Sequence, residues 1–241
     1  MLPIEYWERI LQGYKVTVGL TLSAYLFATL FAVFICLLRI SRFQMLQIIA
    51  RGYISIFRNT PLLVQLFFWY NGVSRFIPQA MKDWLLTTHE WFLGPITIGF
   101  PSNEFIYGFM GLGFYSAAYI AEELRAGIQT VSQNQNSAAL ALGFKPLQAF
   151  HTILLPQAIG NILSPLFGQY MTAVKNSSLA SAIGVAEMMY VAAQIDSEAL
   201  LTLESYAIIT GLYIGTILIL EIIVNRIQQH RHLRLSGGQA I

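Results

Sequence analysis

The chain has 241 residues, of which 56% are hydrophobic and only 11% are charged. Soluble domains carry about 25% charged residues, so the composition points away from a soluble domain and towards an integral membrane protein. The net charge of +2 gives no indication of a nucleic-acid partner, and the single cysteine, Cys36, excludes an internal disulfide.

Five apolar segments have the length and composition expected of membrane spans, which need about 20 mostly apolar residues. They are predicted at 16–38, 53–70, 105–121, 158–174 and 206–224. The N-terminal residues 1–15 carry apolar side chains at helical spacing and are predicted to form an interfacial amphipathic helix. The apolar run 178–193 is short and contains Glu187, which favours a re-entrant or interfacial helix over a sixth span.

The distribution of Lys and Arg predicts the orientation, because these residues prefer cytoplasmic loops. With the N-terminus outside, the inner segments 39–52, 122–157 and 225–241 contain eight of them and the outer segments contain five. The sequence therefore predicts an outer N-terminus and a cytoplasmic tail of residues 225–241. The polar interruption at 137–156 then faces the cytoplasm.

Signatures of catalysis and of metal or nucleotide binding are missing from the sequence. It contains no GxxxxGK[ST], HExxH or GxSxG, and the four histidines have no ligand-like spacing. The neighbouring Glu122 and Glu123 point in different directions on a helix and make a poor acid–base pair. We therefore expect neither an enzyme nor a chain that binds a cofactor.

The interruption at 137–156 reads SAALALGFKPLQAFHTILLP. Its Ala- and Leu-rich start favours a helix, Gly143 suits a helix C-terminus, and Pro146 suits the first turn of a second helix that Pro156 is expected to end or kink. The predicted helix–turn–helix elbow carries three apolar side chains on its water side: Leu140, Leu142 and Phe144. An ordinary loop needs no such face, and an exposed apolar patch usually marks a partner.

This segment resembles the signature loop of ABC-importer permeases, EAA-x3-G-x9-I-x-LP. All its fixed positions match except the first, where Ser137 replaces Glu; the matching residues are Ala138, Ala139, Gly143, Ile153, Leu155 and Pro156. The stretches FRNTPLLVQLFFWY, SAAYIAEELRAGIQTV and VKNSSLASAIGVAEM are similar to permeases of the polar amino acid group (histidine, glutamine and glutamate). The glutamate/aspartate type is slightly favoured.

The resemblance implies an all-α membrane protein with the type I ABC-importer permease fold, whose permease domain covers 16–224. The loop 137–156 would dock into a cytoplasmic ATPase, with these contact residues: Ser137, Ala138, Ala139, Leu140, Gly143, Phe144 and Pro156. ATP and Mg²⁺ would be bound by that ATPase. The other implied partners are a second permease subunit, identical or homologous, and an extracytoplasmic amino acid binding protein, all at a bacterial inner membrane.

Polar residues within predicted spans mark a candidate translocation path, since such groups are costly in a membrane and usually face a cavity or partner. Five of them cluster in the second predicted span: Arg58, Asn59, Thr60, Pro61 and Gln65. Pro61 removes one helix hydrogen bond and frees the carbonyl of Phe57. The segment is interpreted as a broken helix facing an amino acid path; the alternative is that Arg58 snorkels at the cytoplasmic end.

Two further groups are candidates for the path. Lys175, Asn176, Ser177 and Ser178 form a polar break, and a helix starting at Ser177 or Ser178 would present an N-terminus able to hold a substrate carboxylate. Hydropathy alone puts Lys175 at the outer end of the fourth span, and we favour the place nearer the path that the resemblance implies. Glu122 would receive an ammonium group; the slightly favoured alternative is an ion pair with Arg58 or Arg125.

Two other functions stay open at this point. The first is a permease for another small polar solute, such as a basic amino acid or an opine. The second is a channel or receptor subunit that needs no ATPase, against which the loop at 137–156 stands.

Overall fold

The computed structural model describes the backbone of residues 3–81, 90–93, 96–99, 102–131 and 133–236. Side chains are described for the same residues except 90–93, 96–99, 133, 134, 136, 147 and 230–236. The described residues form nine α-helices and two strands. The helices are α1 (Ile4–Arg39), α2 (Gln44–Asn59), α3 (Leu62–Phe67), α4 (Asn103–Gln129), α5 (Gln133–Ala141), α6 (Pro146–Ala149), α7 (Leu155–Ser177), α8 (Met188–Ala199) and α9 (Thr202–Ser236).

Four shorter helical turns extend these helices. A π-helical turn at Phe68–Gly72 and a 3₁₀ turn at Val73–Phe76 follow α3, a second π-helical turn at Phe150–Leu154 joins α6 to α7, and a 3₁₀ turn at Ser178–Ile183 follows α7. The two strands, β1 (Glu90–Leu93) and β2 (Ile96–Gly99), pair antiparallel as a hairpin, with Glu90 opposite Gly99. The predicted all-α architecture therefore needs one correction, because a hairpin lies between the second and third predicted spans.

Helix α1 is a single helix of 36 residues. Leu22, Leu26 and Leu30 are exposed on one face, whereas Ala24, Ala28 and Ala32 are completely buried on the other. Small side chains allow neighbouring backbones to approach closely, which is how helices associate in a membrane. The predicted helix at 1–15 is continuous with the first predicted span, and its interfacial position remains a prediction; residues 1 and 2 lie outside the described residues.

Two described helices are long and apolar enough to cross a membrane, Ile4–Arg39 and Thr202–Gln229. A third span arises if Phe150–Ile183 and Met188–Ala199, which are bent by 49° at a short break, count as one. The predicted spans at 105–121 and 158–174 lie within α4 and α7. The count of five and the outer position of the N-terminus remain predictions.

The interpretation of residues 53–70 as a broken helix is confirmed. Helix α2 ends at Asn59 and α3 begins at Leu62. Pro61 has no N–H to continue the ladder of α2, and the residue before a proline avoids the helical conformation. Thr60 accordingly has extended dihedral angles, with φ −110° and ψ 132°.

The buried apolar side chains of the described residues form three groups, two of which include α1. The larger one joins α1, α2, α3 and α4 to the 3₁₀ turn at 178–183, and includes Leu20, Leu66 and Leu112. The smaller one joins the first part of α1 to α8 and α9, through Ile10, Met188, Val191, Ala192, Ile195 and Ile209. Helix α1 belongs to both groups and so connects the two ends of the sequence.

Helices α4 and α7 approach each other closely at Gly127. A Cβ atom at Gly127 would lie 2.0 Å from Cγ1 of Ile162, well inside van der Waals contact. Ile162 is buried and packs with Val131 and Ala158. Glycine at 127 therefore fixes the spacing of the two helices that flank the elbow.

We expect Gly127→Ala to destabilise the protein by about 1–3 kcal/mol, since overpacking forces neighbouring side chains off their rotamers. Thermal melting of the purified, detergent-solubilised protein measures the effect. Gly160→Ala on α7 is the matched control, because a Cβ atom there meets nothing within 4 Å. Equal melting temperatures for the two variants would contradict this account of the contact.

Candidate functional site

The elbow begins with α5 and turns at Gly143. Gly143 has φ +88°, a left-handed conformation that favours glycine. The N–H of Phe144 donates to the carbonyl of Ala139 (3.1 Å), and the N–H of Gly143 donates to that of Leu140 (3.0 Å). This pair of hydrogen bonds is the Schellman motif that ends many helices. The prediction that a helix stops at Gly143 is confirmed.

The elbow residues divide by exposure into those that pack against the rest of the protein and those that form its outer surface. Ala139 is 1% exposed, whereas Leu142 is 77% and Leu140 is 43% exposed. Ser137, Ala138, Gly143 and Pro156 are also exposed. Phe144, which is predicted on the same side, is half-buried. The two exposed leucines lie among small residues, with Lys145 as the charged neighbour, and an exposed apolar patch of this kind usually marks a partner.

The second half of the elbow differs from the prediction at one residue. Pro146 begins α6, as predicted, but Pro156 does not end a helix. The π-helical turn at Phe150–Leu154 leads directly into α7, in which Pro156 occupies the first turn. A proline is tolerated there because the N–H groups of the first turn have no partner within the helix.

Polar side chains tie the elbow to the helices beside it. Nδ2 of Asn161 on α7 donates to Oγ1 of Thr130 at the end of α4 (2.9 Å). Nε2 of Gln157 on α7 donates to Oε1 of Gln135 on α5 (2.5 Å). These two bonds connect α7 to the end of α4 and to the first helix of the elbow.

The break between α2 and α3 is bridged by Gln65. Its Nε2 donates to the carbonyl of Phe57 (2.8 Å) and to that of Thr60 (3.0 Å). The first of these carbonyls is the one that the sequence expects Pro61 to leave without a partner. Gln65 is 6% exposed, and its Oε1 is buried without a hydrogen-bond partner among the described residues.

Arg58 lies at the end of α2 against α4. Its guanidinium stands over the ring of Tyr119, 5.1 Å from the centroid, a cation–π contact. The hydroxyl of Tyr119 donates to the carbonyl of Arg58 (3.3 Å). Asn59 and Thr60 bond locally, to Ser55 Oγ and to the carbonyl of Ile56. Among the described residues, no carboxylate forms an ion pair with Arg58.

Glu122 lies one turn beyond Tyr119 on α4 and pairs with Arg125. Oε1 of Glu122 accepts from Nε of Arg125 at 2.8 Å and also from Nη2. The structure thus contains one of the two ion pairs that the sequence offers as an alternative to a substrate contact. Because Arg58 on α2 contacts Tyr119, it approaches α4 one turn before Glu122.

The candidates at 175–178 lie in a different setting from the one predicted. Helix α7 runs through Lys175 and Asn176 to Ser177, and the 3₁₀ turn follows at Ser178. The expected helix N-terminus at Ser177 or Ser178 is therefore wrong. Both hydroxyls donate backwards, Ser177 to the carbonyl of Val174 and Ser178 to that of Lys175, and such hydroxyls do not break a helix.

The break of the fourth span lies instead at Gly184–Glu187. Gly184 has φ +87° and ends the 3₁₀ turn, and Glu187 is the N-cap of α8. The carboxylate of Glu187 is completely buried. Sequence reasoning noted Glu187 only as an interruption of an apolar run. Its position one residue before a run of helix formers is the local signal of an N-cap, although Glu is an unusual residue there.

Comparison with known proteins identifies the family of the chain. A family model described as "Binding-protein-dependent transport system inner membrane component" matches residues 24–233. The chain belongs to this family. It is accordingly a permease subunit of a binding-protein-dependent transporter, a multi-pass protein of the inner membrane and not an enzyme.

Individual relatives agree with the family. The permease is 32% identical over 234 residues to the glutamate/aspartate import permease protein GltJ of Escherichia coli, covering 97% of this chain and 90% of that protein. It is 33% identical over 195 residues to the probable glutamine ABC transporter permease protein GlnM of Bacillus subtilis, covering 81% and 80%. A crystal structure of an amino acid ABC transporter with histidines matches with a TM-score of 0.80 and 31% identity, covering 94% and 96%.

We expect Gln65→Leu to destabilise the permease by about 1–3 kcal/mol, because it leaves two partly buried carbonyls of the break, those of Phe57 and Thr60, without their donor. Thermal melting in detergent again measures the loss. Gln194→Leu is the control, since Gln194 is exposed and its side chain makes no hydrogen bond that the described residues record. A Gln65→Leu protein as stable as the wild type would show that Gln65 does not hold the break.

Proposed function

We propose that this permease is the transmembrane pore subunit of an ATP-driven importer of polar L-amino acids. Two observations support the proposal: the similarity to glutamate/aspartate and glutamine permeases over most of the chain, and the exposed elbow with Leu140 and Leu142 on its surface. The proposed mechanism of ATP-driven transport depends on the elbow. It gives the chain, which lacks a P-loop, a surface through which ATP hydrolysis elsewhere can act on it.

In this mechanism the elbow is the coupling helix and docks into a groove of a cytoplasmic ATPase. Leu140 and Leu142 insert into the groove, and the turn at Gly143 sets the angle of the two short helices. Closure of two ATPase subunits around ATP draws the coupling helices of two permease subunits together. The ties from Asn161 and Gln157 carry this movement to α4 and α7, so that the pore opens outward; hydrolysis resets it inward.

The assembly follows from the same proposal. Two permease subunits form the pore, either two copies of this chain or this chain with a homologous one. Two ATPase subunits hold ATP and Mg²⁺, and the permease itself binds no cofactor. An extracytoplasmic binding protein delivers the amino acid. Among the described residues, no group of three or more His, Cys, Asp or Glu side chains is arranged to hold a metal ion.

For the substrate we propose an acidic amino acid. Arg58 supports this choice, since its guanidinium faces Tyr119 and no described carboxylate pairs with it. The path residues would then comprise Arg58, Asn59, Thr60, Pro61, Gln65, Glu122, Lys175, Asn176, Ser177 and Ser178. Other relatives are named as octopine and arginine transport permeases, so the basic amino acids and opines are the competing substrate class.

The coupling role predicts that Gly143→Asp abolishes uptake while the subunit remains in the membrane. The substitution places a charge beside the apolar docking residues. Gly143→Asn is the matched control: both side chains tolerate the left-handed conformation better than other L-residues, so the two variants differ chiefly in charge. ATP-driven uptake into proteoliposomes and immunoblots of the membrane fraction measure the outcome. Normal uptake by Gly143→Asp would reject the coupling role.

The same proposal predicts that a tagged permease co-purifies with a P-loop ATPase. Purification with the ATPase and binding protein of the same operon then allows a substrate test. In proteoliposomes we expect uptake of L-glutamate or L-aspartate above that of L-glutamine, L-arginine and octopine. Preferred uptake of arginine or octopine would move the substrate to the basic class, and transport without any ATPase would reject the importer.

A further inference from the structure

Glu187 lies outside the elbow and the candidate path, at the point where three helices meet. Its Oε1 accepts from the backbone N–H of Tyr190 at 2.9 Å, which caps α8. Its Oε2 accepts from the hydroxyl of Tyr213 on α9 at 2.5 Å. Oγ1 of Thr17 on α1 lies 3.5 Å from the same oxygen. One carboxylate therefore contacts α8, α9 and α1.

Thr17 completes the junction on the side of α1. Its Oγ1 accepts from the backbone N–H of Met188, the first residue of α8, at 3.1 Å. Its own hydrogen has two acceptors within reach, the carbonyl of Gly13 (3.0 Å) and Glu187. Thr17 and Glu187 are both buried. Polar groups in such a setting are costly unless they are bonded, so the arrangement strongly favours one position of α8.

Further contacts tie the same three helices together. Nη1 of Arg9 on α1 donates to Oε2 of Glu198 on α8 at 2.7 Å, and Oγ1 of Thr216 on α9 donates to the hydroxyl of Tyr14 on α1 at 3.3 Å. Gly13 allows the close approach of α1 to α8, because a Cβ atom there would lie 2.9 Å from Val191 Cγ2. The smaller apolar group fills the space between the three helices.

The connection between α7 and α8 is built differently. The two helices meet at 49° across a short break, and Gly184 in this break has φ +87°. A left-handed glycine is a place where the backbone turns without the penalty that other residues incur. The break therefore lies between a tightly tied unit and the helix that carries the elbow at its other end.

We propose that Glu187 is a positioning residue for transport. It locks the first part of α1, α8 and the first part of α9 into one rigid unit, which turns about the break at Gly184 when the elbow moves α7. Without the carboxylate α8 moves independently of α1 and α9, so the part of the movement that passes through α8 no longer reaches them; the direct hydrogen bond between Tyr170 on α7 and Thr29 on α1 is unaffected. This inference rests on the proposed function, since it takes the movement of α7 from the coupling mechanism.

Spin-label distances test the rigid unit directly. All variants carry Cys36→Ser. One pair of labels is placed at Leu11→Cys on α1 and Ser197→Cys on α8, and the other pair at Ser164→Cys on α7 and Ser197→Cys on α8. All three labelled positions are exposed. Labelled permease is diluted with unlabelled permease in the full transporter. We expect the α7–α8 distance to change between the nucleotide-free and ATP-trapped states while the α1–α8 distance stays fixed. Equal changes in both pairs would overturn the proposal.

Substitutions of Glu187 test its role in this unit. Glu187→Met removes the acceptors at similar size; we expect a broadened α1–α8 distance and uptake per assembled complex lowered about tenfold, within the range of measured couplings. Glu187→Gln keeps an acceptor for the cap and a bond to Tyr213, so uptake should stay near the wild-type value. Glu204→Met, at an exposed position in the first turn of α9, is the control.

Three results would overturn the proposal: normal uptake per complex for Glu187→Met, loss of uptake in Glu187→Gln at an unchanged melting temperature, or a narrow α1–α8 distance in Glu187→Met. If Glu187→Met does not assemble, Tyr213→Phe removes only the bond to α9 and should lower uptake to a smaller extent. No effect of Tyr213→Phe would also overturn the proposal.

Uptake by the wild-type transporter is a separate measurement that tests the proposed function. The label distances in Glu187→Met test the rigid unit whether or not transport occurs.

Discussion

The bilayer core offers no water, so every backbone N–H and C=O within it must find a partner inside the protein. Continuous helices meet this requirement by themselves, and at two interruptions among the described helices a buried side chain supplies the partner. At the first interruption Gln65 donates to the carbonyls of Phe57 and Thr60. At the second, the carboxylate of Glu187 accepts from the N–H of Tyr190. A helix end exposes carbonyls, so its partner is a side-chain amide that donates. A helix start exposes N–H groups, so its partner is a carboxylate that accepts.

The close packing of small residues is the second feature that determines how the helices are arranged. The alanine face of α1 is buried while its leucines face outward, and Gly127 lets α4 approach Ile162 on α7. Lipid tails are as apolar as leucine, so burial of large apolar side chains contributes little to helix association in a membrane. Specific approach distances at Gly and Ala positions therefore decide which helices are neighbours. Because α4 and α7 flank the elbow, the spacing of these two helices determines where the elbow lies.

The sequence was informative wherever local chemistry decides the structure. Gly143 and Pro146 determine the turn of the elbow through backbone preferences of single residues, and both predictions are confirmed. Pro61 breaks the second predicted span for an equally local reason, although hydropathy alone joins 53–70 into one segment. The predictions failed where distant residues decide. Ser177 and Ser178 look like helix caps in isolation, yet the helix starts ten residues further on, where Thr17 accepts from the N–H of Met188 and Tyr213 donates to Glu187. No pattern within residues 174–188 reveals partners at 17 and 213.

The contact of α1 with α9 has a consequence for how the protein is made. The surface around Ile10, Tyr14 and Thr17 is synthesised well before its partners on α9, because α1 and α9 are far apart in the sequence. During translation the hydroxyl of Thr17 and the carboxylate of Glu187 have no Tyr213 to complete their junction. Helix α1 must therefore enter the membrane before its contact residues have their partners, which are available only after α9 has been synthesised. The junction between α1, α8 and α9 is therefore completed only when α9 packs against α1.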